Sequence, residues 1–249
     1  MTTPRTLAAL VCCVALAACS KEGMPSISAP APGAAVKFYN FSTGAPNVNF
    51  YANDTKLTGV NSTSGTEATT GTAFGGVAAG GFYSGLVPGA VTLSGRITTT
   101  VDNGVAIATV PTTLADGKYY SFYLSGPYNT TTKQTDYFML EDAIPPAIDF
   151  NVTTVRFVNG VYNGTGPMTL WARNTATGFT NDSVSVGGAV AYKAAGAFVT
   201  FPGGVYDLTT RYTGSNTAVI TRAAVTFSAG RVYTVSARTG AVLDNTANR

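Results

Sequence analysis

From Val36 onward the chain alternates. Val36 and Phe38 fall on one side of an extended backbone and Lys37 and Tyr39 on the other, with Asn40 continuing the first side. A period of two marks a strand with one buried face. Gly44-Ala45-Pro46 breaks the run, and Asn47-Val48-Asn49-Phe50-Tyr51 alternates again. Further strands are predicted over 82–87, 90–99, 105–110, 118–125 and 136–140, divided by the turn formers Pro88-Gly89, Asp102-Asn103-Gly104 and Asp116-Gly117. Residues 61–81 are Gly, Thr, Ser and Ala with almost no large apolar side chain, which predicts a long surface loop with little to bury. No long stretch carries apolar residues at the helical period of 3.6. The expected class is all-β.

Ahead of the first strand the pattern differs. Arg5 precedes an apolar run at 7–17, 11 residues long, too short for a helix to span a bilayer core of about 30 Å. A positive start followed by a short apolar run has the form of an export signal. Leu16-Ala17-Ala18-Cys19 resembles the bacterial lipobox at all four positions. The resemblance implies that residues 1–18 are a lipoprotein signal peptide, that the Cys19 thiol receives a diacylglyceryl group, and that its freed amine is acylated. Each buried methylene contributes about 0.8 kcal/mol, so two or three chains on Cys19 would hold the protein in a lipid bilayer. Ser20, where an aspartate would imply inner-membrane retention, implies the outer membrane of a bacterial cell envelope. Residues 19–35 then read as a lipidated tether rich in Pro, Ala and Ser. The competing reading is an ordinary signal peptide cut after Ala18.

The strand pattern occurs twice. Val155-Arg156-Phe157-Val158-Asn159 repeats Val36-Lys37-Phe38-Tyr39-Asn40; Phe201-Pro202-Gly203-Gly204-Val205 repeats Val87-Pro88-Gly89-Ala90-Val91; and Gly230-Arg231-Val232-Tyr233 repeats Gly117-Lys118-Tyr119-Tyr120. Three blocks in one order, at slowly shrinking offset, predict tandem domains that each own a core. The expected division is a first antiparallel β-sandwich at 36–143, a linker at 144–152, a second antiparallel β-sandwich at 153–242, and a C-terminal tail at 243–249. These blocks, with Gly44-Ala45-Pro46 before an alternating strand, resemble the bacterial domain of unknown function 4397 family. The second copy departs from that pattern over 162–171. The resemblance implies an extracytoplasmic β-sandwich, often in tandem and often on lipoproteins, and it implies no activity.

Composition narrows the chemistry. The chain has no histidine, which removes the commonest general base and metal ligand and every Ser-His or Cys-His pair. Its three cysteines, Cys12, Cys13 and Cys19, all lie near the N-terminus, so after cleavage one thiol remains and no internal disulfide can form. Net charge is +3, without the dense basic face that nucleic acid requires. Residues 20–150 carry six basic and nine acidic side chains, whereas 151–249 carry eight and three. Because the basic residues never cluster along the chain, scattered solvated charge is the simpler reading.

Few residues remain as site candidates. Asp136, Glu141 and Asp142 are the closest acidic group, but a glycosidase pair needs one carboxyl in an environment that raises its pKa, and surface solvation explains them better. Asp102-Asn103-Gly104 and Asn181-Asp182 could offer oxygen ligands to calcium, yet lack a dedicated loop spacing and read as turns. The Gly-rich stretches near 75 and 80 have no following helix or phosphate-binding lysine and read as loops. No catalytic residue, metal ligand or cofactor is assigned. Aromatic residues matter more. Tyr119, Tyr120, Phe122 and Tyr123 put rings on both faces of one strand, and Trp171 is the single tryptophan. Exposed rings are platforms for sugars or proteins, so Tyr119, Tyr123 and Trp171 are the candidate ligand contacts, although filling of cores and rims accounts for most of the rings. The sequence thus predicts a non-enzymatic envelope lipoprotein with a structural or interaction role, its partners being the bilayer through acylated Cys19 and an envelope protein or glycan. A glycan-binding module is the alternative.

Overall fold

The alternation at Val36 becomes strand β1 (Ala34–Asn40), with Val36 and Phe38 turned into a core. The computed structural model describes residues 33–59, 70–176 and 183–248. After β1 come β2 (Val48–Ala52), β3 (Thr55–Lys56), β4 (Gly76–Val77), one 3-10 turn at Ala78–Gly81, β5 (Ser84–Leu86), β6 (Gly89–Ile97), β7 (Ala106–Leu114), β8 (Tyr119–Asn129) and β9 (Gln134–Glu141). They form two sheets, ordered β4-β1-β8-β9, with β5 also on β1, and β3-β2-β6-β7. Between them Phe38, Phe50 and Phe122 meet in stacked and edge-to-face contacts, with Leu93, Ile107 and Leu124 around them.

The second unit repeats this plan. Its strands are β10 (Val152–Gly160), β11 (Met168–Asn174), β12 (Ser183–Val190), β13 (Ala194–Ala195), β14 (Val199–Pro202), β15 (Gly204–Tyr212), β16 (Ile220–Phe227), β17 (Val232–Arg238) and β18 (Val242–Ala247). The sheets are β13-β10-β17-β18, with β14 on β10, and β12-β11-β15-β16, closing over Val155, Phe157, Leu170, Leu208, Phe227 and Val235.

The repeat extends to individual hydrogen bonds. Tyr120 Oη accepts from the Ala115 amide, and Tyr233 Oη accepts from the Ser228 amide, both at 3.1 Å. Asn40 Nδ2 donates to the Thr72 carbonyl at 2.9 Å and Asn159 Nδ2 to the Val190 carbonyl at 3.0 Å. The all-β, double-sandwich expectation therefore stands, with one difference. Strands β1 and β8 run parallel, as do β10 and β17, while every other neighbour pair of strands within these sheets, among the described residues, is antiparallel.

Two boundaries also move. The expected tail at 243–249 is largely edge strand β18, whose Leu243 is buried in the second core. Of the expected surface loop, residues 70–81 are partly structural: Val77 and Gly76 pair with β1, and Ala78 is buried. The signal peptide, Cys19, most of the tether, residues 60–69 and Asn181-Asp182 lie outside the described residues.

The two sandwiches are joined back to back within one compact unit. The outward faces of β1 and β8 meet those of β10 and β17 around a third apolar cluster, Tyr39, Phe41, Tyr123, Phe138 and Val158. Tyr123 is stacked between Tyr39 at 4.2 Å and Phe138 at 4.6 Å. The contact is pseudo-symmetric. Phe38 lies opposite Phe122, and Phe157 opposite Val235, so Tyr123 and Ser236 hold equivalent places in the two copies, and their hydroxyls are 3.4 Å apart. Lys37 of the first copy reaches the end of β18, donating to the Ala247 carbonyl at 2.7 Å and Asn248 Oδ1 at 2.9 Å. Its counterpart Arg156 reaches the end of β9, pairing with Asp142 and donating to the Glu141 carbonyl. Residues that contact their own counterparts across an axis are the signature of an isologous interface, built here within one chain.

Candidate functional site

Among the described residues the best-buried carboxylate is that of Asp142, and it is committed to holding the two sandwiches together. Asp142 is 2% exposed. It accepts hydrogen bonds from Tyr83 Oη and Ser121 Oγ, each at 2.6 Å, and forms an ion pair with Arg156, itself 2% exposed. The expected surface solvation of Asp142 is therefore corrected: it lies between the sandwiches because Arg156, facing away from its own core, needs an anion where water is excluded. Asp136 and Glu141 do stay near the surface, paired with Lys193 and Lys118. Burial, only partly offset by Asp142 and reinforced by Arg156, lowers the Lys37 pKa to about 8. Burial and the Asp142 charge hold the Tyr83 hydroxyl far above its ordinary pKa. These groups lock a shared interface; Asp142 has its donors already in place and no open face toward solvent.

The three candidate rings are separated. Tyr123 is fully buried, which corrects its expectation as a ligand contact: the face opposite the first core is covered by the second sandwich rather than open. Tyr119 is 39% exposed and edge-on to Tyr83 at 5.1 Å, on a shallow hollow of about 290 Å³ walled by Lys118, Glu141 and Pro146. Trp171 lies on the opposite side of the second sandwich, on the outer face of β12-β11-β15-β16. The turn Asp102-Asn103-Gly104 places the Asp102 carboxylate 2.6 Å from Lys133 Nζ, occupied by an ammonium group. No cluster of three metal-binding side chains occurs among the described residues.

Around Trp171 the outer sheet carries a groove of about 400 Å³, within the range of about 300–1,000 Å³ common to small-molecule sites. The pleat builds it: Leu170, Ala172, Leu208 and Thr210 point into the core, so Trp171, Arg173, Asp207, Thr209 and Arg211 share the other face. Register sets Trp171 opposite Thr209 and Arg173 opposite Asp207. Arg173 Nη2 donates to Asp207 at 2.7 Å, and this bond with the Ala224 amide holds the Asp207 carboxyl below its ordinary pKa. Arg222 donates to the Leu243 carbonyl at 2.7 Å. Arg211 sits 5.9 Å above the Trp171 ring, and its buried Nε has no partner among the described residues. Three guanidinium groups and one carboxylate line the groove.

The first copy shows what Arg211 lacks. Tyr51 stands opposite Ser94 as Trp171 stands opposite Thr209, and Arg96 follows Ser94 as Arg211 follows Thr209. Arg96 lies 4.5 Å over the Tyr51 ring. There, however, the guanidinium is closed by its own hairpin: Nη2 donates to the Asn53 carbonyl and Asp54 Oδ1, and Nε to Ser94 Oγ. In the second copy β11 runs on to Arg173 and Asn174, with no hairpin at that point, and Asp207 is taken by Arg173. Sequence reasoning singled out Trp171 but missed Arg211, Arg173, Arg222 and Asp207. The available signal was the spacing of Asp207, Thr209 and Arg211 at every second residue, one face of a strand.

No family model matches the chain, and no curated protein matches it. Among solved structures it is similar to the Bacillus anthracis TIE protein, at 14% identity and TM-score 0.23, covering 83% of this chain and 34% of that one. A Bacteroides ovatus protein described as one of cell adhesion is similar at 12% identity and TM-score 0.27, covering 87% and 96%. The carbohydrate-binding module CBMbc of family CBM26 from Eubacterium rectale Amy13K, solved with maltoheptaose, is similar at 12% identity and TM-score 0.24, covering 86% and 95%. The chain thus spans about a third of the length of the Bacillus anthracis protein. At these TM-scores the similarities bear on none of the functional arguments, which rest on the geometry of the chain itself.

Proposed function

We propose that this chain is a non-enzymatic interaction module of the bacterial cell envelope, held at the outer membrane by acylated Cys19 and displaying a rigid double sandwich. The observation that carries the proposal is the division of labour between faces. Buried charge at the inner faces is spent on joining the two copies, with Asp142 bonded by Arg156, Tyr83 and Ser121, while the outer face of the second copy keeps an open groove. The anchor rests on the resemblance of Leu16-Ala17-Ala18-Cys19 to the lipobox, and the family resemblance of the three repeated blocks is compatible with a tandem extracytoplasmic module. Replacing Cys19 by alanine should move the protein from the membrane to the soluble fraction; retention in the membrane would contradict the anchor.

A second reading, binding of a glycan, is favoured by Trp171. It is the single tryptophan, and it stands in the groove rather than in a core. An aromatic ring flanked by hydroxyl groups suits the apolar face and polar rim of a sugar. A glycan array probed with the purified protein tests this reading, and silence across the array would count against it.

A further inference from the structure

We propose that the Trp171–Arg211 groove binds a carboxylate-bearing saccharide, an acidic glycan, through a guanidinium that the first copy has closed off and the second has left open. The inference rests on the glycan reading above and adds the charge of the ligand. An arginine over an aromatic ring is held by the ring's quadrupole, and its planar fork of N–H donors stays suited to a carboxylate. In the first copy that fork is filled by Asp54, the Asn53 carbonyl and Ser94. Arg211 occupies the equivalent place with none of these partners; among the described residues it forms no ion pair, and its Nε is both buried and unbonded. A guanidinium with one N–H desolvated and unpaired is short of an acceptor, and a carboxylate matches the geometry of its fork.

The neighbourhood agrees with an acidic ligand. Asp207, the carboxylate in the groove, is neutralised by Arg173, so Arg211 and Arg222 leave the site net positive. The hydroxyl groups of Ser183, Thr209 and Thr221 line the same groove and can both donate and accept bonds to sugar hydroxyls. Three of the eight basic side chains of 151–249, Arg173, Arg211 and Arg222, are brought together here by cross-strand register.

Because Trp171 is the single tryptophan, its fluorescence reports from this groove alone. The purified chain is titrated with a tri-galacturonate, a neutral galactose trimer and inorganic phosphate, with calorimetry in parallel. The expected result is saturable binding of the tri-galacturonate with a shift in Trp171 emission, weakened about tenfold or more by Arg211→Gln, weakened by salt, and unchanged by Arg96→Gln. An unaltered unfolding midpoint for Arg211→Gln separates lost binding from lost structure. Equal binding of the neutral trimer, unaffected by Arg211→Gln, would overturn the acidic class while leaving the glycan reading intact. Equal response to phosphate alone would overturn the sugar and leave an anion site. No heat and no emission change with any of the three would overturn the proposal, and the glycan array then decides the glycan reading separately.

Discussion

The two copies use one strand plan for opposite ends on their outer faces and for a common end on their inner faces. Inside, Lys37 and Arg156 each reach across to the last residues of the other copy's edge strand, and Tyr123 meets Ser236 on the pseudo-axis. Outside, Arg96 is closed over Tyr51 by Asp54, whereas Arg211 lies over Trp171 with its Nε unbonded. After a duplication, a shared inner face constrains both copies at once, because a change on one side must be met on the other. An outer face touches no counterpart and can diverge alone. The short hairpin after Ala52, with Asn53 at φ 52°, is the small difference that closes one site, and the continuation of β11 leaves the other open.

The inner face can be broken most severely at its ion pair. Asp142→Ala strands the Arg156 guanidinium in a dry interface, and the expected loss is about 3–5 kcal/mol of unfolding free energy by denaturant titration. Because the sandwiches share this contact, both should still unfold in one transition, and two separated transitions would show that the interface couples them weakly. Tyr123→Ala removes the central ring of the stack and should cost about 3–5 kcal/mol by the same titration.

A smaller and pH-dependent effect comes from Lys37. Its folded pKa of about 8 lies below the ordinary 10.5, so between those values the unfolded chain binds more protons than the folded one. Stability should therefore rise with pH from about 8, at a slope of up to about 1.4 kcal/mol per pH unit. Near pH 10 the buried Tyr39, Tyr83 and Tyr123, whose pKa values are raised by burial, begin to reverse the trend, since the unfolded chain then loses tyrosine protons first. Lys37→Met should flatten the rise between pH 8 and 10 in unfolding midpoints measured across that range.

The outer face of the first copy should be the least sensitive. Asp54 is almost fully exposed, so Asp54→Ala should change stability by less than about 1 kcal/mol. It should nevertheless remove the one charged partner of Arg96, whose bonds to the Asn53 carbonyl and Ser94 remain, and give the first copy a weak affinity for acidic saccharides, detectable by calorimetry.

Much of this architecture was legible in the residues, and what was not has a physical reason. The alternation of Val36 and Phe38, and its repeat at Val155 and Phe157, gave the strands and both cores, because burial of one face leaves a period of two. The same period says nothing about strand direction, so the parallel pairing of β1 with β8 was not visible. Nor does it say what covers a second face. Lys37, Tyr39, Tyr123 and Arg156 look like a mixed solvent face until another sheet of the same chain is laid against them, and Asp142 looks like a surface acid until Arg156 is placed beside it. Trp171 stood out as a lone ring. Arg211 did not, because its meaning lies in a comparison with Arg96 across 115 positions and in the partner it lacks.

The comparison between the copies is tested most directly by hydrogen–deuterium exchange of the purified chain with and without the tri-galacturonate. Protection confined to Met168–Asn174 and Gly204–Tyr212, with Val48–Ala52 and Gly89–Ile97 unchanged, is the predicted result. Equal protection of both outer sheets, or protection of the first alone, would contradict the account.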